Sequence, residues 1–140
     1  MKLTPHFTLE ELAGTNNERY REKNLAEAQK QMGKMYQLAG FAERIREIVG
    51  KPIIINSGYR CVQLNNVLKG SLTSQHLLAE AIDIKVNGKE ASELFQILVA
   101  SDLKYDQIIL EKVGNARWVH ISIGSKKEKL KYEKGVYTRI

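Results

Sequence analysis

The sequence predicts an α+β fold in which helices come first and a small, largely antiparallel sheet follows, with the N-terminal helices packed on it. Three observations carry that expectation. Leu38, Phe41, Ala42, Ile45 and Val49 recur at helical spacing and stop at Gly50. Beyond Gly50 the apolar pattern shortens into β-branched or alternating runs at Pro52–Asn56, Ala81–Lys85, Asp106–Glu111 and Trp118–Ile123. Between the second and third runs, Ala91, Leu94, Phe95 and Leu98 return to helical spacing, which inserts one helix into the strand region.

In chain order, Phe7-Thr8-Leu9-Glu10-Glu11-Leu12 reads as a short helix. Thr8 is its N-cap, Glu11 completes a capping box, and Phe7, Leu9 and Leu12 face inward. Thr15 to Lys34 is mostly polar with poor periodicity, and reads as a loop running into helix with no function visible in it. The helix ending at Gly50 follows. Pro52-Ile53-Ile54-Ile55-Asn56 is a strand that gives way to a loop at Ser57-Gly58, so Arg60 sits just past a strand end. Gly70 to Ser74 reads as a loop, and Gly114-Asn115 as the turn joining the last two strands.

At 140 residues the chain suits a single domain spanning 1–140, large enough to bury about two-thirds of its unfolded surface. Its one cysteine, Cys61, excludes a disulfide framework and any multi-thiolate metal site, so a metal here would need histidine and carboxylate ligands. Apolar runs such as Ile53–Ile55 fall far short of the ~20 residues that span a bilayer, and nothing after Met1-Lys2 reads as an export signal. The net charge of +6 and pI near 9.4 reflect a basic C-terminal segment, 125–140, holding Lys126, Lys127, Lys129, Lys131 and Lys134. Such a segment suits an anionic wall polymer or nucleic acid, or is simply a solvated face. With Tyr132 and Tyr137 but no reader motif, nucleic acid is the weakest of these.

Two of the three histidines stand where a metal ligand would. Alternation in Trp118–Ile123 turns Val119, Ile121 and Ile123 to a core and Trp118, His120 and Ser122 to the other face. Ile82 and Ile84 likewise face the core and put the Asp83 carboxylate opposite. His76 lies in the loop entering that strand, close enough in sequence for the chain to bring both side chains to one ion. Two imidazoles and a carboxylate leave a tetrahedral zinc one open position, the arrangement of a hydrolytic site. Taken singly, a strand histidine is more often a satisfied buried side chain, and a strand aspartate more often pairs with a base. The chain contains no HExxH.

The combined string is more specific. It runs through Asn56-Ser57-Gly58-Tyr59-Arg60-Cys61, Leu64-Asn65, Lys69-Gly70-Ser71 and Ser74-Gln75-His76 to Ala79-Glu80-Ala81-Ile82-Asp83-Ile84 and Trp118-Val119-His120-Ile121-Ser122. It resembles the zinc D-alanyl-D-alanine carboxypeptidase family, within the wider group of peptidoglycan peptidases and hedgehog-like domains. Phe7–Leu12 also looks like that family's opening helix. The resemblance implies a hedgehog/D-Ala-D-Ala peptidase-like fold, one Zn2+ ion on His76, Asp83 and His120, and Arg60 holding a substrate carboxylate or carbonyl oxygen beside it. Ser74, Gln75 and Trp118 would line the site, with Ser74 orienting a ligand.

The sequence departs from the family pattern at two places. Ala79 stands where relatives often have Gly, a small change if φ there is negative. Arg117 stands three residues before the last histidine, where many relatives carry an acidic general base, and arginine cannot accept a proton. Glu111 is the replacement candidate, against a solvent-facing strand end, and Glu80 is a poorer one because alternation turns it away. Either the base comes from elsewhere, or the metal site works without one, or the protein binds without cleaving.

The resemblance therefore implies a zinc metallopeptidase acting on peptidoglycan stem or cross-link peptides, as a carboxypeptidase or endopeptidase. A phage or prophage endolysin or tail-associated lysin would suit it, cytoplasmic until release or carried in the virion. The alternative is a non-catalytic zinc-containing module that binds wall peptide or a protein partner. His6 reads as an N-terminal surface residue.

Overall fold

The computed structural model describes residues 1–140 and is α+β. Strands β1 (Lys2–Thr4) and β2 (Phe7–Thr8) form a small antiparallel sheet that leads into helix α1 (Leu9–Ala13). Thr8 caps α1 with both halves of the expected capping box, and Phe7, Leu9 and Leu12 are buried. Helices α2 (Glu18–Gln29) and α3 (Met32–Val49) follow, and α3 stops at Gly50 in the left-handed conformation.

The stretch from Thr15 to Lys34 is thus mainly helix rather than a loop running into helix. Helix α2 buries only Asn24 and Ala28, so it shows no apolar stripe. It is built from good helix formers, with Glu27 paired to Lys23 and Lys30 on its surface.

Strand β3 (Ile54–Ser57), the short helix α4 (Val62–Val67) and strand β4 (Ala81–Lys85) come next. After them run α5 (Ala91–Ala100), β5 (Gln107–Val113) and β6 (Ala116–Ser122). The segment expected only as a basic tail forms two further strands, β7 (Glu128–Glu133) and β8 (Val136–Arg139). With Leu130 and Tyr132 as its only apolar residues, β7 lacks the β-branched run that marks a strand.

The main sheet has six strands in the order β3-β4-β6-β5-β7-β8, and only β5 and β7 pair in parallel. That exception follows from the route of the chain. The segment leaving β6 crosses the start of β5, where Lys127 and Glu128 donate backbone hydrogen bonds to the carbonyls of Tyr105 and Asp106. Gly124, at φ 156°, passes so close to Asp106 that a Cβ would collide with it.

One face of the sheet is core: Ile82, Ile84, Ile108, Val119 and Ile121 are buried with Leu94 and Leu98 of α5 and Leu38 and Ile45 of α3. The opposite face carries the polar residues of the same strands. Directly paired residues share a face, so two rows can be read across it. Asp83, His120, Ile109, Leu130 and Arg139 form one row, and Trp118, Glu111, Tyr132 and Tyr137 the next. No helix is long and apolar enough to cross a membrane.

Candidate metal centre and cleft

Asp83 and His120 are direct cross-strand partners on β4 and β6, and both are buried. His76 reaches them from a 3-10 turn, Gln75–Leu78, whose N-cap Ser74 accepts from the His76 backbone N–H at 3.2 Å. Ser74 therefore positions His76 by capping its turn, and its hydroxyl bonds the His76 backbone rather than the ring. The ring is oriented instead by the Gly58 carbonyl, 2.7 Å from His76 Nδ1. Since a carbonyl only accepts, Nδ1 carries the proton and the Nε2 lone pair is free.

His76 Nε2 lies 3.4 Å from one Asp83 oxygen, and His120 Nδ1 lies 3.0 Å from the other. One ligand atom from each residue falls within 4.8 Å of the other two. Zinc bonds of ~2.0–2.1 Å in a tetrahedral site set ligand atoms about 3.3 Å apart, a spacing that the two His–Asp83 distances match, and the donor types are those zinc takes. Burial pushes the His76 imidazole below its usual range against the pull of Asp83, keeping it a neutral donor. Burial would raise the Asp83 carboxyl, but the hydrogen bond from His120 and the close His76 imidazole outweigh it and hold the group well below the carboxylate range. The three residues can therefore hold a metal ion.

Arg60 enters from the end of β3. A one-residue bulge between Ile55 and Ser57 turns Ser57 to the cleft face opposite Asp83, and Ser57 Oγ accepts from Arg60 Nε at 3.0 Å. Arg60 also donates to Asn65 at 3.4 Å and to Asp83 at 3.5 Å. Its side chain is 16% exposed, so it is a cleft residue whose acid partner belongs to the candidate metal set.

Two residues fix this loop. Gly58 passes the Leu12 carbonyl too closely for a Cβ, and the adjacent Tyr59 N–H donates to that carbonyl at 2.8 Å. Asn24, fully buried on α2, donates to the carbonyls of Ala13 and Tyr59 at 2.7 and 2.9 Å and accepts from Cys61 N–H at 2.7 Å. Asn24 lies in the stretch where the sequence shows no function, and no local pattern marks it.

Arg117 is exposed, and the alternation of β6 turns it away from the face that carries His120. An acid at that position would not reach the cleft here, so Arg117 removes nothing from it. Glu111 does reach it, two residues along β5 from Ile109, the partner of His120. Trp118 Nε1 donates to Glu111 at 2.8 Å, while burial first and the Asp83 charge second raise the Glu111 pKa. Glu80 pairs with Lys34 at 3.9 Å outside the cleft, and His6 pairs with Glu43 at 2.8 Å on the surface. Gln75 lines the cleft and donates to Asp106 at 3.2 Å. Ala79 has φ 56°, so the condition under which it would replace Gly without cost is not met.

Arg60, Gln75, Glu111 and Trp118 share with His76, Asp83 and His120 one open cleft of about 870 Å³ that runs from Arg60 past the histidines to β7 and β8. No curated protein matches the chain. A family model described as Peptidase M15 matches residues 5–122, the stretch that supplies Arg60, His76, Asp83, Glu111 and His120. The chain belongs to the peptidase M15 family, that of the zinc D-Ala-D-Ala carboxypeptidases.

Proposed function

We propose that the protein is a zinc-dependent peptidase that cleaves peptide bonds in peptidoglycan stem or cross-link peptides. The observation that carries this reading is the convergence of His76 Nε2, the Asp83 carboxylate and His120 Nδ1 on the floor of a cleft with Arg60 on one side and Glu111 on the other. Bound Zn2+ would supply a Lewis acid that polarises a carbonyl and brings a water's pKa to about 7.

The remaining work falls to the chain itself. Arg60, already fixed by Ser57 and Asn65, offers its donor fork to a substrate carboxylate or carbonyl oxygen. Glu111 accepts the proton of the attacking water and returns it to the leaving amine. Its raised pKa favours both steps, because a carboxylate that binds its proton more firmly than usual is the better base, and the same group protonated is the donor the leaving amine needs. Trp118 holds the Glu111 carboxylate by its indole N–H and so sets which way it faces.

The test is release of new amino groups from purified peptidoglycan by the zinc-loaded protein, beside a chelator-treated sample and His120→Ala. Release that needs both zinc and His120 is the expected result. Zinc binding without release from several wall types would replace this reading with a wall-peptide binding module, whose main sequence support was Arg117. The lysines of residues 125–140 are proposed as contacts for anionic wall polymer, and Lys129 and Lys131 lie on the sheet face away from Glu111 and Tyr132. Wall retention that weakens with added salt is the expected sign.

A further inference from the structure

The two strands that close the cleft, β7 and β8, lie beyond the residues matched by the family, which end at 122. They supply Tyr132 and Tyr137, direct cross-strand partners whose ring centroids are 4.7 Å apart with a 56° tilt. This spacing is that of a favourable aromatic pair. Tyr132 is also the parallel-register partner of Glu111, and Glu111 is the partner of Trp118. Trp118, Glu111, Tyr132 and Tyr137 therefore stand in one row across β6, β5, β7 and β8, with an acid between aromatic side chains. The row beside it holds Asp83 and His120, followed by the apolar Ile109 and Leu130. Both tyrosines line the same cleft as the candidate metal set, and Tyr137 is 58% exposed.

We propose that Tyr132 and Tyr137 form a substrate subsite that packs against an extended peptide several residues from the bond cleaved beside His76, Asp83 and His120. The proposal rests on the peptidase reading and adds the length of peptide recognised. Three strand spacings separate β6 from β8, about 14 Å at ~4.8 Å each, and an extended peptide covers that span in about four residues. The cleft, about 870 Å³, is near the upper end of small-ligand sites and exceeds what a scissile dipeptide needs. Along this path Ile109 and Leu130 offer apolar floor and the paired rings a wall, suited to the aliphatic side chains of a peptide. Residues near the metal set perform the cleavage, while these rings select for what extends beyond it.

The test compares kcat/KM for an N-acylated D-alanyl-D-alanine with that for a five-residue stem peptide ending in the same dipeptide. The zinc-loaded protein is expected to prefer the longer substrate by about tenfold or more, the scale of burying about two methylene groups against the rings. In Tyr132→Ala/Tyr137→Ala the preference should collapse to within about twofold, while Tyr132→Phe/Tyr137→Phe, which keeps the ring faces, should retain it. Thermal scans of both variants check that each is folded.

An unchanged preference in the alanine variant overturns the subsite. So does competition by a peptide-free wall oligosaccharide, which would give the rings to sugar. If neither substrate is cleaved, carboxypeptidase action is excluded, the peptidase reading is left to amino-group release from whole peptidoglycan, and the subsite is decided by binding. Titration of the Trp118 fluorescence with the five-residue peptide should then show about tenfold weaker binding in the alanine variant, and equal or absent binding overturns it.

Discussion

Glu111 and Trp118 show how much of this site depends on single hydrogen bonds. Glu111 is half-buried beside the Asp83 charge, and both conditions favour its protonated form, while the indole N–H of Trp118 favours the ionised one. A base must be ionised to accept a proton, so activity should fall as pH drops through the Glu111 pKa, which lies above its ordinary value of 4.5. Trp118→Phe removes the bond that lowers this pKa, so the acid limb of the kcat/KM profile should move to higher pH. Because parent and variant are compared with zinc bound, the metal's own pull on Glu111 is common to both. Glu111→Gln keeps the shape but cannot accept a proton, and should lower kcat by about a hundredfold or more while zinc stays bound. An unshifted limb in Trp118→Phe together with full activity in Glu111→Gln would remove Glu111 from the reaction.

At the scale of elements, the Ser57–Cys61 loop is held by α2 more than by its own neighbours. Asn24→Ala strands the carbonyls of Ala13 and Tyr59 and the N–H of Cys61 in a buried place. At ~1–3 kcal/mol for an unsatisfied buried group, partly recovered by relaxation, the loss should be about 3 kcal/mol in urea unfolding. Asn17→Ala, at the start of the same helix, removes a side chain that makes no capping bond and should cost less than about 0.5 kcal/mol. Equal losses at the two positions would show that Asn24 clamps nothing. The same elements mark what could be read in advance. Helix α3, strands β4 to β6 and the facing of Asp83 and His120 were legible because apolar spacing there is strict, with Ile82, Ile84, Val119 and Ile121 all at 0% exposure. Helix α2 and strands β7 and β8 were not, because α2 buries only Asn24 and Ala28 and the two strands leave most of their residues exposed, so neither carries a periodic stripe. Gly58 was visible in the motif, but its carbonyl's bond to His76 depends on a contact between segments 18 residues apart.

Across the whole molecule, the candidate ligands come from three separate places, a 3-10 turn and two strands, and 37 residues separate Asp83 from His120. An ion on these groups would fasten the turn to the sheet only in the folded chain, because the unfolded chain brings no such set together. Zinc should then stabilise by mass action, by about 2.7 kcal/mol at a hundredfold excess over Kd. For a chain of this size that is a rise of about 5–11 °C in Tm, reversed by chelator. Asp83→Ala should lose most of the rise, since two imidazoles remain without the carboxylate that balances the ion's charge. The rise should survive Glu111→Gln, because Glu111 lies outside the ligand set. That difference separates holding the metal from supplying the base: a protein stabilised by zinc through Asp83 yet indifferent to Glu111 in turnover would keep its metal site and lose Glu111 as the base. A Tm that ignores zinc altogether would mean that Asp83 is satisfied by His76, His120 and Arg60 alone, as a buried ion-pair cluster.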